Sequence, residues 1–395
     1  EEAIKGTEVL VTAERQKFER SMESSQIALD LREINSAPAF VEPDVFRTLQ
    51  MLPGVQTTSD FSSALYVRGS TPDQNLIMLD GIAIYNPYHL GGIFSTFNTD
   101  AIKEADFHAG GFPARYGGRM GAILNVINRE GNTEKITGSA NLSLISSKAL
   151  IEGPLPKWKG MKGSWMISGR RTYIDKVVDA LALPSGSKNS DGSDIPLRFP
   201  YYFYDYQIKA NLDIDQDHRL TFTRFYGDDV LDFSYEDPSE TVSNENVTIQ
   251  QDSKFGLDWP WGNQTNGLTW RWIVSPKMIT KTFLSNSRYR FDFDLFFQNR
   301  DLYTYSDSTV INFINFNWNI YDIIKDRTLE TEVQYKYSND HELTGGFQIK
   351  KISFDLGIEY DLETQDTSFT WNPLSLKNNT QEISFFLQDR WEVSK

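Results

Sequence analysis

Leu52-Pro53-Gly54-Val55, Tyr66-Val67-Arg68-Gly69, Leu79-Asp80-Gly81 and Gly110-Gly111-Phe112-Pro113-Ala114-Arg115-Tyr116-Gly117-Gly118-Arg119 follow one another in that order, and the stretch they span, 52–129, decides the fold. Leu76 to Leu79 reads as a strand closed by Asp80-Gly81, a pair that suits a turn with positive φ. Ala64 to Gly69 reads the same way, as a strand ending at glycine. Gly110, Gly111, Gly117, Gly118 and Gly121 cluster before the strand Ala122 to Asn128. Without Cβ atoms such backbone turns tightly and lies close to a neighbouring wall. Upstream, 38–54 holds one short helix. Pro43 suits its first turn, Glu42 and Asp44 its positive end, and Pro53-Gly54 stops it. Val45, Phe46, Leu49 and Leu52 form its apolar face. Together these are the marks of a small α/β domain.

From Ile136 onward the pattern changes to period two. Tyr204, Tyr206, Ile208, Ala210, Leu212 and Ile214 alternate with Asp205, Gln207, Lys209, Asn211 and Asp213. Tyr289, Phe291, Phe293 and Leu295 alternate with charged residues, and 328–337 and 383–393 repeat the alternation. About ten strands are expected, near 138–145, 147–153, 163–173, 201–214, 218–227, 254–274, 277–293, 327–338, 341–356 and 380–393. Near Lys350-Lys351 the apolar phase flips, from Leu343, Phe347 and Ile349 to Ile352, Phe354 and Leu356, which predicts a β-bulge there. Short connections (154–162, 215–217, 275–276, 339–340) alternate with long ones (174–200, 228–253, 294–326, 357–379). Tight turns on one side and long loops on the other characterise outer-membrane barrels.

The chain has 395 residues and a formal charge of −15, a balance that argues against nucleic acid as partner. No apolar run is long enough for a transmembrane helix, which leaves barrel strands open because they alternate and keep mean hydropathy low. Aromatic residues make up 13%, a share the interfaces of a barrel would use. There is no cysteine, hence no disulfide and no thiolate metal site.

The motifs at 52–129 resemble the plug domain of TonB-dependent outer-membrane receptors, with wording similar to members from the Bacteroidota. The resemblance implies a mainly β protein with a small α/β plug inside an antiparallel transmembrane β-barrel of about 22 strands. It therefore implies that the chain holds only the N-terminal part of the barrel. The expected division is 1–16, a periplasmic segment; 17–135, the plug; and 136–395, the first strands of the barrel. Thr7, Glu8, Val9, Leu10, Val11, Thr12 and Ala13 look like a TonB box, the extended segment gripped by the periplasmic TonB energy-coupling complex through strand addition. Arg68, Gly69, Asp80, Gly81, Gly110, Gly111, Arg115, Tyr116, Gly117 and Arg119 match the plug motifs. In the family, plug arginines pair with barrel carboxylates, and Arg68 and Arg115 fit those positions best. Tyr85, Tyr88 and His89, around Asn86-Pro87-Tyr88-His89-Leu90-Gly91-Gly92, are candidate ligand-contact residues.

Chemistry beyond transport is not indicated. His89, His108, His218 and His341 are scattered, and no nucleophile elbow or phosphate-binding loop occurs. The stretch 228–245 holds Asp228, Asp229, Asp232, Glu236, Asp237, Glu240 and Glu245 without Lys or Arg, a candidate Ca²⁺ or lipopolysaccharide contact, with a solvated acidic loop as the plainer alternative. Phe296, Phe297, Tyr303, Tyr305, Phe313, Phe316, Trp318 and Tyr321 offer aromatic faces for a ligand or for an interfacial girdle. The expected function is active import of a scarce ligand (siderophore, cofactor, peptide or glycan) across the outer membrane. Expected partners are TonB, outer-membrane lipids and lipopolysaccharide, and a surface lipoprotein. The alternative is a structural subunit of an outer-membrane assembly or secretion complex.

Overall fold

The computed structural model describes residues 26–38, 42–59, 62–156, 160–181, 184–188, 194–196, 199–236, 240–244 and 247–393. Thr7 to Ala13 lie outside them.

The N-terminal domain is a five-stranded sheet in the order Gln26–Asp30, Ile102–His108, Ile123–Asn128, Leu76–Leu79, Ile82–Ala83. Leu76–Leu79 and Ile123–Asn128 run parallel, while the other pairs are antiparallel. The Asp80-Gly81 turn has the expected positive φ, 50° and 82°. Helix Val45–Leu49 buries Val45, Phe46 and Leu49 against this sheet, with Leu52 partly buried beside them. Asp44 caps it by accepting from the Phe46 and Arg47 amides. Glu42 does not serve the helix end as expected. It turns outward to the barrel wall, where Lys148 and Arg170 offer full charges in place of a partial dipole. A second helix, Leu31–Ser36, begins with the capping box Asp30 and Glu33.

The second unit is one antiparallel sheet of eleven strands. Ten follow in chain order: Thr137–Leu142, Ser146–Pro154, Lys162–Thr172, Tyr201–Asp213, His218–Glu236, Val247–Ser275, Met278–Tyr305, Thr309–Lys336, His341–Thr364 and Ser368–Trp391. The short Glu240–Ser243 pairs only with Val247–Ser275. Their positions match the alternating segments, but their lengths do not. Strands of 28 and 29 residues far exceed the roughly 9–11 needed to cross a bilayer. Most of 294–326 and 357–379, read above as loops, is therefore strand. The true turns there are residues 306–308 and 365–367.

Why those segments escaped a period-two reading is visible in the side chains. Ser287, Tyr289, Asp326 and Glu330 touch the plug, which marks odd positions of Met278–Tyr305 and even positions of Thr309–Lys336 as inward. Alternation assigns the remainder. Low on the wall, Phe222, Leu268, Leu284, Leu329, Ile349 and Ile383 stand opposite one another on the outward face. Higher up, the apolar row is inward: Tyr201, Leu231, Trp259, Phe293, Ile320, Ile358 and Leu374. At that height the outward face carries Asp232, Asp258, Asp294, Asn319 and Glu359. Between the two levels lies an outward belt of Arg224, Arg288, Lys325, Arg327 and Lys351.

The phase flip at Lys350-Lys351 is this change of apolar face. No bulge occurs there, since Thr328↔Lys350, Arg327↔Lys351 and Asp326↔Ile352 pair without interruption. The slip lies in the next ladder, where Ile358 pairs with Leu374 but Tyr360 pairs with Trp371. One extra residue is accommodated beside Pro373, which has no N–H to donate to the ladder.

Candidate functional site: the seam between plug and wall

Two clusters of charge join the small domain to the barrel. The first surrounds Asp80 and Arg115. Lys209, from the wall, reaches Asp80 Oδ1 at 2.7 Å and also donates to the Asn128 carbonyl. Asp80 is fixed from its own side by the Asn128 backbone and side-chain amides, so its αL turn is held rigidly toward Lys209. Arg115 lies over the Tyr116 ring and reaches Glu330 at 2.8 Å and Glu332 at 3.3 Å. Burial works to lower the Arg115 pKa, but Tyr116 and the two nearly buried glutamates outweigh it, so the group is held firmly protonated. A cavity of about 200 Å³ lies within this first cluster, lined by Asp80, Arg115, Lys281, Phe283, Glu330 and Glu332 among others.

The second cluster is drier. His89 Nδ1 lies 2.6 Å from Asp229, its Nε2 3.7 Å from Asp205, and its ring stacks on Phe203 at 4.0 Å. The Leu90 amide donates to Asp229 and to the Tyr201 hydroxyl, which itself donates to Asp229. Arg170 bridges Asp205 at 2.6 Å to the Ser95 carbonyl at 3.1 Å, and Lys148 closes on Glu42 at 2.6 Å. Burial works to lower the His89 pKa, but Asp229 and Asp205 outweigh it and the imidazole is raised above its ordinary value. Burial likewise works to raise Glu42, and Lys148 with Arg170 overcome it, leaving the carboxyl lowered.

The expected site residues are thus sorted by location. Tyr85 donates to Asp326 on the wall at 3.0 Å, and Asn86 to Tyr289 at 3.1 Å. Tyr88 and His89, expected to contact a ligand, are packed at the seam between plug and wall. Tyr88 packs on Phe46, its phenol pushed up to about 12 by burial, and His89 is 1% exposed. Arg68, also expected to pair with the barrel, is exposed and ion-pairs with no described residue; its guanidinium lies across Gly110, where a Cβ would meet Nη1 at 3.0 Å. Arg119 stays exposed, donating to the Gly118 carbonyl. Gly69 and Gly117 border open space, and Gly111 takes a positive φ of 62°. Asp228 and Asp229 belong to strand His218–Glu236 rather than to an acidic loop. Among the described residues no three His, Asp or Glu side chains converge as a metal site; Asp232 and Asp258 instead lie in a row across strands.

Residues 34–123 match the family model of the TonB-dependent receptor plug domain. Solved structures similar to the chain include the siderophore receptor PirA from Pseudomonas aeruginosa (12% identity, 94% of this chain and 88% of that one, TM-score 0.37). The ferric yersiniabactin uptake receptor FyuA from Yersinia pestis is another (11%, 94% and 63%, TM-score 0.42). A third is the outer-membrane transporter YddB from Escherichia coli (8%, 92% and 77%, TM-score 0.38). With the plug motifs seated against an antiparallel wall, residues 34–123 are the plug domain of a TonB-dependent receptor of the outer membrane.

Proposed function

We propose that the protein imports a scarce ligand across the outer membrane under the control of TonB. In this reading residues 1–16 couple to TonB, 17–135 form the plug and 136–395 contribute barrel wall. The observation that carries it is the seam. The plug is held by discrete ion pairs, Arg115 with Glu330 and Glu332 and Lys209 with Asp80, which can be broken and remade. Apolar contacts, Phe94 with Phe203 and Ala101 with Leu150 and Met166, accompany the ion pairs at the seam. Breaking such pairs without a partner in place costs about 3–5 kcal/mol each, an amount suited to force applied from outside rather than to thermal opening. The outward belt of Arg224, Arg288, Lys325, Arg327 and Lys351 supports contact with the phosphates of lipopolysaccharide.

The test is competitive growth of cells whose full-length receptor carries Val9→Pro. Proline removes a main-chain donor and fixes φ within Thr7–Ala13, so strand addition to TonB fails. The variant should lose the advantage of the wild-type receptor under nutrient limitation while reaching the outer membrane in equal amount. An unchanged advantage, together with stoichiometric copurification with a secretion or assembly machine, would replace import with the scaffold role.

A further inference from the structure

The lipid face of the wall carries one motif twice. Asp217-His218-Arg219-Leu220-Thr221 and Asp340-His341-Glu342-Leu343-Thr344 each follow a short turn and open the strand that rises from it, four strands apart. In both, the histidine stands opposite a tryptophan, His218↔Trp272 and His341↔Trp391. In both, the residue after that tryptophan donates its amide to the aspartate carbonyl at 2.9 Å, Ile273 to Asp217 and Glu392 to Asp340. The main chain thus closes each turn without help from the imidazole. Alternation from the outward Phe222, Leu268, Ile349 and Ile383 puts His218, Trp270, Trp272, His341, Asp389 and Trp391 on the lipid face, at the periplasmic end of its apolar band. The position at which the two copies differ points inward, where Arg219 meets Glu130 of the plug.

Both imidazoles are pinned. His218 stacks on Trp270 and Trp272 at 5.7 and 5.6 Å, and the two indoles are 40% and 37% exposed. Trp270 Nε1, which can only donate, lies 3.2 Å from His218 Nδ1, so Nδ1 accepts and the ring proton is on Nε2. At His341 the place of Trp270 is taken by Asp389. Its carboxylate lies 2.8 Å from Nδ1, which therefore carries the proton, while the ring stacks on Trp391 at 5.3 Å. In both rings Nε2 hydrogen-bonds to no described residue.

We infer that these two turns bind phospholipid head groups of the periplasmic leaflet, of the class that joins a phosphodiester to a primary ammonium. The turns border the lipid face, so the head groups of that leaflet are what meets them. Indoles suit that depth, with the ring toward the chains and the polar edge toward water. His218 Nε2–H donates to a phosphate oxygen, a hydrogen bond strengthened by the charge on its acceptor. The exposed Asp217, next to it in the turn, answers the ammonium. His341 reverses the order of contacts: the neutral ring offers its Nε2 lone pair to the ammonium, with the exposed Asp340 beside it. One residue, Trp270 or Asp389, thus sets which end of the head group the imidazole takes. The inference needs the barrel wall alone and is independent of import.

The experiment is native mass spectrometry of the full-length receptor released from detergent micelles titrated with one lipid at a time. The lipids are phosphatidylethanolamine, phosphatidylglycerol, which lacks the ammonium, and phosphatidylcholine, whose quaternary nitrogen has no N–H. Phosphatidylethanolamine should be retained at the lowest concentration. His218→Phe with His341→Phe keeps both stacks and removes both Nε2 contacts. That receptor should need about tenfold more phosphatidylethanolamine for the same retention, the usual worth of a hydrogen bond to a charged group. His218→Gln with His341→Gln restores a polar group at each place and should keep most of the binding, which separates recognition from a structural role. Ser308→Ala, at a turn on the opposite rim, should change nothing. Unaltered retention in the double phenylalanine receptor, or an equal loss in the glutamine one, would overturn the inference. So would equal retention of phosphatidylglycerol or phosphatidylcholine by the unaltered receptor.

Discussion

Removing Arg115 strands two carboxylates. Glu330 and Glu332 sit on one face of a strand, nearly buried, and the arginine is their shared counter-ion across the seam. Arg115 is 29% exposed, so Arg115→Ala should destabilise plug seating by about 3 kcal/mol, the lower end for breaking a buried pair. Limited proteolysis of the plug across a urea series checks this. Arg115→Lys should recover only part, because a single ammonium cannot reproduce the fork between two acids. The drier cluster adds a dependence on pH. His89 has a raised pKa in the folded protein, so its stabilisation is fully present below the ordinary imidazole value of 6.5 and is lost as pH rises through the raised one. Glu42 has a lowered pKa, so its contribution is present above 4.5 and is lost as pH falls through the lowered one. Plug seating should therefore be firmest between about pH 4.5 and 6.5, as read by the same proteolysis, and His89→Gln should flatten the alkaline limb alone. Arg115 was legible beforehand because a motif carries it. Asp205, Asp229, Arg170 and Lys148 were not, since each is an ordinary polar residue of an alternating strand until the fold brings it beside the plug.

At the scale of strands, alternation was legible and its direction was not. A period-two pattern states that one face is apolar and leaves open which medium that face meets. Along His341–Thr364 the apolar set passes from lipid to lumen with no break in pairing, so the flip at Lys350-Lys351 records a change of surroundings. Beside Pro373 the reverse happens. There the sequence also changes phase, from Phe369 and Trp371 to Leu374 and Leu376, and the extra residue keeps all four on the inner face. The two events look alike in sequence and have opposite structural causes. A pair of substitutions tests the assignment of faces. Leu284→Arg places a cation on the lipid face and should cost about 2–4 kcal/mol of barrel stability near the bilayer midplane. Asn317→Arg, outward on the extracellular extension, should stay within about 0.5 kcal/mol. Urea-induced unfolding of the receptor in lipid vesicles, followed by tryptophan fluorescence, reads both.

For the molecule as a whole, the plug motifs make the architecture legible in the sequence, because several glycine turns in fixed order are hard to produce otherwise. The height of the wall above the plug was missed for the reason already given. The outward belt of Arg224, Arg288, Lys325, Arg327 and Lys351 has a consequence for how the receptor sits. A purely greasy band lets a barrel ride up or down by an ångström or two at small expense. Under the proposed contact with lipopolysaccharide phosphates, cations at one level with acids just above resist such drift, since rising would drag arginines off the phosphates and sinking would press aspartates into them. On that proposal the receptor has a waterline. Everything above it, the extracellular extension of the wall included, would be held at a near-constant distance outside the cell whatever the thickness of the bilayer below.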